Sequence, residues 1–500
     1  MNREDQDAAE KPDVFLPHGG YQKLRSYPMT APTTETVLET RRQDRLLETT
    51  TSLCAVCRQR VEAHTIVRAG AVYVLKHCPI HGEQLALLEK NAAYYLGRLD
   101  YDKPGTVSKT QTLSLRGCPY DCGLCPNHQQ HTCIGLIEVT GQCNLDCPDC
   151  YARPRSPRTL SLEEIARMMD FFQDAEAGKA EVLQISGGEP TLHPRILEIL
   201  RLAKAKRFKC VMLNTNGLRC ATDEPFVQAL AELAGGFEVY LQFDGFERQA
   251  SEQLRGADVV ALKEKAVAHL SRHRVPTTLV ATIEQGANDH ELGRLIQFGL
   301  NAECVRGINF QPIAFFRADS DSAAAPERSR ATERTTVTEI LERIEAQTAG
   351  TIRLKDFVPL PCDVERVAIT YLHRSQGGFT PITRGADLRR YLPLIPNTFA
   401  FEADDLVAQA PAPVTAAGCC ETAATLLRLL RPLIPKSYAA FSPAQRVQHV
   451  SQNTFRISVS SFVDPYNFDL RSMQRECVHV ITPDLRRIPF SAYNMFHREP

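Results

Sequence analysis

Three cysteines, Cys143, Cys147 and Cys150, in the run Gly-Gln-Cys-Asn-Leu-Asp-Cys-Pro-Asp-Cys-Tyr, constrain this 500-residue chain more than any other feature. Their x3/x2 spacing folds one short loop around one centre. Three thiolates hold three irons of a four-iron cluster and leave the fourth iron without a protein ligand, whereas an electron carrier closes all four positions. Such a loop needs a rigid frame beneath it and space above it for a ligand of the open iron. Tyr151, directly after the loop, is placed to stack on that ligand. Three cysteines alone also suit a zinc knuckle, so the frame has to be sought further along the chain.

It follows one helical segment later. Residues 181–186 read as a short strand that ends in Gly187, Gly188, Glu189 and Pro190. Glycines let the backbone approach a ligand closely, and a carboxylate with carbonyls accepts from an ammonium, although by itself this corner is an ordinary turn. Hydrophobic periodicity predicts strands at 132–139, 181–186, 209–215, 237–243, 277–283 and 306–312. It predicts helices at 161–176, 194–206, 224–234, 257–274, 288–298 and 337–349. Six βα units in order imply a parallel sheet with right-handed crossovers. In parallel barrels the chemistry gathers at the carboxyl ends of the strands, which here carry Cys143, Gly187, Asn214, Asn216, Asp244, Glu284 and Gln311.

A cysteine loop placed one βα unit before a Gly-Gly-Glu-Pro corner resembles the signature of the radical S-adenosylmethionine (SAM) enzymes. The resemblance implies an α/β fold, a partial (β/α)6 TIM-type barrel over 132–350. Cys143, Cys147 and Cys150 would then carry a [4Fe-4S] cluster that binds SAM, with Gly187, Gly188, Glu189 and Pro190 on its methionyl amino group. Asn214 and Asn216 either contact the SAM ribose or close a turn. Asp244 either binds SAM or substrate or caps the next helix.

Composition narrows the setting. The chain has 58 basic and 59 acidic residues, a net charge of −1, and no long basic run to track phosphates, so no nucleic acid partner is expected. No apolar stretch reaches transmembrane length and the polar start lacks a signal-peptide core. Seventeen cysteines then read as metal ligands in a reducing, cytoplasmic location rather than as disulfides.

A second set, Cys118-x3-Cys122-x2-Cys125-x7-Cys133, precedes the first strand. Four thiolates at these distances close an auxiliary [4Fe-4S] cluster or a structural zinc site. Because the first three repeat the x3/x2 spacing, they compete with the later triplet for the SAM cluster; the later triplet follows the first strand, where a barrel mouth lies. His128 and His131 share this loop and suit hydrogen bonds to cluster sulfurs. Nearer the amino terminus, Cys54-x2-Cys57 and Cys78-x2-His81 form two knuckles of a rubredoxin-like or zinc-ribbon module, holding one mononuclear zinc or iron. A four-coordinate site of this kind has no open position, so it stabilises a small domain or relays an electron.

The order of these parts resembles the class D radical SAM methyltransferase family and its relative, the archaeal tetraether lipid synthase. The resemblance runs from about Ser52 through the barrel and returns at 357–383 and at 476–498, which includes Cys-Val-His-Val and Ile-Pro-Phe-Ser-Ala-Tyr-Asn. It implies hydrogen abstraction by a 5′-deoxyadenosyl radical and then C-methylation or carbon–carbon coupling of a lipid or pterin-like small molecule. It also implies a reductant such as a flavodoxin or ferredoxin, and ligands for a further cluster among Cys362, Cys419, Cys420 and Cys477. Wide separation gives no spacing argument for that cluster, and buried free cysteines are the alternative. Ser491 departs from the family pattern, which has cysteine there.

The expected organisation is an extension over 1–50, the metal module over 51–112, the auxiliary cluster loop over 113–135, the barrel, and a C-terminal α+β domain over 351–500. Low-complexity stretches at 317–336 and 402–418 mark the seams, and 422–436 carries a leucine face that suits either core packing or peripheral contact with a membrane. Two other classes stay open: a radical SAM maturase acting on a peptide, and a non-catalytic electron-transfer protein whose clusters are all fully ligated. The Gly187–Pro190 corner, which an electron carrier has no use for, separates the second from the enzyme.

Overall fold

The computed structural model describes residues 44–106, 108–152, 158–233, 235–316, 331–375, 378–384 and 453–498, with scattered positions at 387–389, 392, 395, 397–398 and 441–442. Cys419, Cys420, the 402–418 stretch and the 422–436 segment lie outside the described residues, as do 317–330.

The first sheet is a four-stranded antiparallel meander: β1 (Arg45–Leu53), β2 (Arg60–Arg68), β3 (Ala71–Cys78) and β4 (Gly82–Glu89). Ala69 and Gly70, both at positive φ, turn β2 into β3 in the sense that suits the right-handed twist of a hairpin. The knuckles sit at the β1–β2 and β3–β4 turns, so the strands bring both metal-ligand pairs to one end of the sheet.

The second sheet is built on six parallel strands that neighbour one another in chain order: β5 (Ile134–Thr140), β6 (Val182–Gly187), β7 (Cys210–Thr215), β8 (Phe237–Gln242), β9 (Thr277–Ile283) and β10 (Val305–Pro312). The first five residues of β6 are buried, as expected for a strand covered on both faces. Helices cross between the strands at Leu162–Ala175, Ile196–Ala205, Glu224–Ala231, Val260–Arg272 and Leu292–Asn301, and Val337–Gln347 follows β10. Capping boxes start two of them, Ser161 with Glu164 and Thr336 with Glu339. Within one residue or two at most boundaries, these are the elements the periodicity predicts. The exceptions are 224–234, which stops at Ala231, 288–298, which lies at Leu292–Asn301, and 257–274, which begins only at Val260, after a polar helix at Arg248–Arg255 that Gly256 ends.

The C-terminal third adds β11 (Val358–Leu360), β12 (Asp363–Ser375), β13 (Gly378–Pro381), β14 (Thr454–Ser460), β15 (Val478–Ile481) and β16 (Arg487–Pro489). These strands join the same sheet at both edges. β14 lies parallel to β10 on one side, and β15 lies parallel to β5 on the other. One apolar core fills the space between the strands and their helices, centred on side chains such as Ile137, Phe172, Leu213, Leu241 and Phe310. A second core, with Leu136, Phe316, Phe468, Met473, Phe490 and Met495, packs the last residues of the chain against Cys118 and Cys122.

Candidate functional site

The cysteine loop leaves the carboxyl end of β5, and the Gly-Gly-Glu-Pro corner leaves the adjacent β6. A Cβ on Gly187 would stand 2.2 Å from the Thr140 carbonyl oxygen, and one on Gly188 would stand 2.4 Å from that of Gln142. Neither position has room for a side chain. The backbone bonds Gly188 N–H to Thr140 O (2.9 Å) and Glu189 N–H to Gln142 O (2.7 Å) then lock the corner to the root of the cysteine loop. Asn216 Nδ2 donates to Asn144 Oδ1 at 2.6 Å, tying β7 to the same loop. The Glu189 carboxylate is buried and braced: Thr191 N–H, Thr191 Oγ1 and Thr215 Oγ1 donate to one oxygen, and Asn216 N–H donates to the other.

These elements enclose an open cavity of about 1040 Å³, the mouth included. Cys143, Cys147, Cys150, Tyr151, Gly187, Gly188, Glu189, Asn214 and Asn216 line it, together with Gln242, Arg255, Thr282 and Gln311. Leu254, Pro312, Ile313, Ala314, Phe316 and Phe462 give the cavity an apolar part. Cys143 is exposed, and Cys147 and Cys150 are half-buried. Burial raises the Cys143 thiol and pushes that of Cys150 up to about 11, so without a metal these thiols stay protonated at neutral pH. Tyr151 turns its ring edge-on to Phe490 at 5.1 Å and to Phe316 at 6.1 Å.

Asp244, expected to bind SAM or substrate or to cap the next helix, does not cap it, since Glu247 holds that position. It is absent from the cavity lining, because its carboxylate is spent on Arg255, which donates from Nε (2.7 Å) and Nη2 (2.5 Å). Thr282 N–H donates to the same carboxylate at 3.0 Å. Arg255 also donates to Thr282 Oγ1 at 2.8 Å, and its guanidinium sits beside Cys147. Burial opposes its charge, but Asp244 outweighs it and keeps the cation locked. Among the charged side chains that line the cavity, which include Asp149 and Glu189, the cation is this arginine. No spacing rule marks it, since it ends a short polar helix that the periodicity does not reveal. Below it, burial brings Lys263 down to about 8 while it donates to Gln242 Oε1 (2.7 Å) and to the Asn216 carbonyl.

Three further thiol groups surround this centre. In the ribbon, Cys54, Cys57, Cys78 and His81 bring their ligand atoms within 4.8 Å of one another. His81 Nδ1 lies 3.5 Å from the sulfurs of both Cys54 and Cys78, and the Cys57 and Cys78 sulfurs are 3.9 Å apart. Ligands of a single tetrahedral ion at 2.3 Å from sulfur stand roughly 3.8 Å apart, so the set fits one mononuclear metal. Burial raises the Cys54 thiol, but the backbone N–H groups of Cys57 and Val56 outweigh it and bring that thiol to about 6.

Cys118, Cys122 and Cys125 are buried in a loop against Phe490 and Met495. The Asp121 carboxylate shapes that loop by accepting the N–H groups of Leu115, Arg116 and Gly117. Cys133 does not join them, contrary to the x7 spacing. It opens β5, where the parallel pairing with β15 bonds its N–H to the Cys477 carbonyl at 2.9 Å. Its sulfur, with those of Cys362 and Cys477, forms a fully buried group within 4.8 Å. His131 Nε2 lies 3.8 Å from the Cys133 sulfur, and that thiolate outweighs burial to bring the imidazole up to about 9. His128 pairs with His479, Nε2 to Nε2 at 3.1 Å, and burial lowers it to about 4. Ser491 holds the buried Glu476 carboxylate through Oγ at 2.8 Å.

Comparison with known proteins identifies the parts. The Radical SAM superfamily matches residues 137–299, and the HMPTM N-terminal zinc ribbon domain matches residues 46–90. The 7,8-dihydro-6-hydroxymethylpterin dimethyltransferase of Methanocaldococcus jannaschii is 30% identical over 495 residues, covering 90% of this chain and 94% of that protein. A probable GTP 3′,8-cyclase of Pyrococcus abyssi is 29% identical over 164 residues, 32% of this chain and 51% of that protein. Among solved structures, SuiB of Streptococcus suis bound to S-adenosylmethionine aligns at a TM-score of 0.35 and 15% identity, over 40% of this chain and 45% of that one. With a radical SAM core, an amino-terminal zinc ribbon and a relative matched along almost its whole length, the chain belongs to the class D radical SAM methyltransferase family, enzymes that cleave SAM reductively and methylate carbon.

Proposed function

We propose that this enzyme methylates an unactivated carbon of a flat, pterin-like heterocycle. The observation that carries the reading is one cavity lined both by a thiol triplet with a glycine corner and by an aromatic and aliphatic surface. The dihydropterin dimethyltransferase matched along most of the chain supports the same substrate class. Phe316 and Phe462 offer ring faces and edges to a planar substrate, and Pro312, Ile313 and Ala314 complete a dry surface beside it.

The donor set suits the cofactor. Cys143, Cys147 and Cys150 would hold a [4Fe-4S] cluster, and the cluster with SAM supplies a 5′-deoxyadenosyl radical when bound. Every other task falls to the chain. Gly187 and Gly188 let the corner close on the root of the cysteine loop, and with Glu189 and Pro190 they set where the methionyl end of SAM would sit. Arg255, oriented by Asp244, is the cation that meets the methionyl carboxylate. Asn214 spends its Nδ2 on Ser186 Oγ at 3.0 Å, which leaves its oxygen for a ribose hydroxyl. The apolar wall excludes water from the reacting carbon.

Two accessory assignments belong to the same reading: a structural zinc in the ribbon, and iron-sulfur clusters at Cys118–Cys122–Cys125 and at Cys133–Cys362–Cys477. A low-potential carrier such as a flavodoxin or ferredoxin would supply the electrons.

The test is anaerobic reconstitution with iron and sulfide, followed by dithionite, SAM, a reduced folate-type one-carbon donor to supply the methyl carbon, and a 6-hydroxymethyl-7,8-dihydropterin. We expect 5′-deoxyadenosine and a product heavier by one or two methyl groups, both lost in Cys147→Ala. SAM cleavage without pterin methylation, but with deuterium transfer from a lipid, would replace the substrate class and keep the radical chemistry.

A further inference from the structure

Three leucine side chains are left in water beside the outer cysteine triplet. Leu113 and Leu115 are 75% and 83% exposed, and Leu485, at the turn between β15 and β16, is 37% exposed. They belong to one surface. Gln111 Nε2 donates to the Leu485 carbonyl at 3.4 Å, and Arg486 Nη1 donates to the Cys122 carbonyl at 3.3 Å. Thr112 and Arg486 meet above Gly123, where a Cβ would lie 2.5 Å from one and 3.3 Å from the other.

Their exposure is built in rather than incidental. The Asp121 carboxylate takes the N–H groups of Leu115, Arg116 and Gly117, so turning Leu115 inward would break the bonds that shape the cysteine loop. Burying a leucine stabilises a fold, and this loop forgoes that for two residues.

Charge surrounds the apolar centre. Lys109, Arg116 and Arg486 lie on the two segments and Arg60 abuts Gly117, while Asp121 and Asp484 are paired with Arg116 and Arg486. Arg60 and Lys109 have no acidic partner among the described residues. Four basic side chains against two acidic ones make this face positive in a chain whose net charge is −1. An apolar centre ringed by an excess of cations matches a partner with an acidic rim, and transient redox encounters use small contacts of this kind.

We propose that the face formed by Leu113, Leu115 and Leu485, ringed by Arg60, Lys109, Arg116 and Arg486, docks a small acidic one-electron carrier protein over the Cys118–Cys122–Cys125 site. This rests on the iron-sulfur reading of that site. The carrier is oxidised by one electron per SAM, and the electron is consumed in breaking the carbon–sulfur bond that releases methionine. Inward from the face, Cys118 and Cys122 pack in one core with Phe490, whose ring is 5.1 Å from that of Tyr151, the residue after Cys150. The docked electron therefore enters above a continuous packed path to the inner loop.

The probe is flavodoxin, used reduced to drive SAM cleavage and oxidised to measure binding by calorimetry. Leu115→Asp and Arg116→Glu should each weaken binding at least tenfold and slow flavodoxin-driven 5′-deoxyadenosine formation by a similar factor, while dithionite-driven formation stays at the wild-type rate. Arg116→Lys should behave as wild type, and binding should weaken with added salt. Unchanged flavodoxin affinity in Leu115→Asp would overturn the proposal. So would an equal loss under both reductants, which marks a structural role, or a dimer that Leu115→Asp dissolves, which assigns the face to a second copy. Failure of wild type with dithionite would instead strike the radical SAM reading and leave the binding result standing.

Discussion

Arg255 and Asp244 show how a site residue can act through its neighbour. The carboxylate fixes the guanidinium from two sides, so the arginine reaches the cavity already oriented. Arg255→Lys keeps the charge and loses the fork. The expected outcome is a KM for SAM raised about tenfold, or roughly 1.4 kcal/mol, with iron content unchanged; SAM titration of the cluster's EPR signal checks both. A second buried pair has a structural task. Asp464 is fully buried between Arg334 Nη1 (3.0 Å) and Nη2 (2.6 Å) and also accepts the Phe315, Tyr466 and Asn467 N–H groups. Burial raises this carboxyl, but Arg334 and the N–H donors outweigh it and hold it below the usual range. Its stabilising contribution is therefore present above the unfolded pKa of about 3.9 and is lost as pH falls through the depressed folded value. Asp464→Asn should cost about 3–5 kcal/mol at pH 7, read by chemical denaturation, and its deficit should shrink below about pH 4. Of these residues the sequence marks Cys143, Cys147 and Cys150 directly, because ligands on one loop must obey one spacing. Arg255 and Asp464 obey no spacing, because their partners come from other strands.

At the scale of elements, the glycine corner and the cysteine loop are one unit. Gly187→Ala would drive a Cβ into the Thr140 carbonyl at 2.2 Å, on a residue whose φ of +135 also disfavours any side chain. We expect the variant to lose iron at the inner triplet and to unfold at lower temperature, measured as iron per chain and by calorimetry. The six βα units were legible because each carries its own periodicity. The pairing of β15 with β5 was not, because β15 is four residues long and its partner lies far back in the chain. For the same reason, the x7 spacing groups Cys133 with the outer triplet, whereas its sulfur lies beside those of Cys362 and Cys477. Iron analysis can test the regrouping: Cys133→Ala combined with Cys477→Ala should lose no more iron than either alone, whereas Cys133→Ala combined with Cys122→Ala should lose the sum.

For the molecule as a whole, the ribbon is fastened to the last residues of the chain. Ser52 Oγ donates to the Phe468 carbonyl at 2.6 Å, and Lys76 Nζ donates to the carbonyls of Leu53 and Pro465, each at 2.8 Å. Burial brings that ammonium down to about 7. Removing the ribbon metal by chelation, or replacing Cys57 by serine, should therefore lower the melting temperature of the barrel as well as that of the ribbon, seen as one shifted transition in calorimetry. Two resolved transitions would show that the fastening carries no cooperativity.

The two edges of the parallel sheet are both completed from the carboxyl-terminal third, β10 by β14 and β5 by β15. During synthesis β5 emerges early and its outer edge stays unpaired until residues 478–481 have left the ribosome, so the first strand of the parallel sheet is among the last to be closed. The Cys133, Cys362 and Cys477 sulfurs likewise cannot meet before that moment. The three sulfurs of this buried group thus come together only late in synthesis, and until then the parallel sheet waits with its own first strand open at one edge.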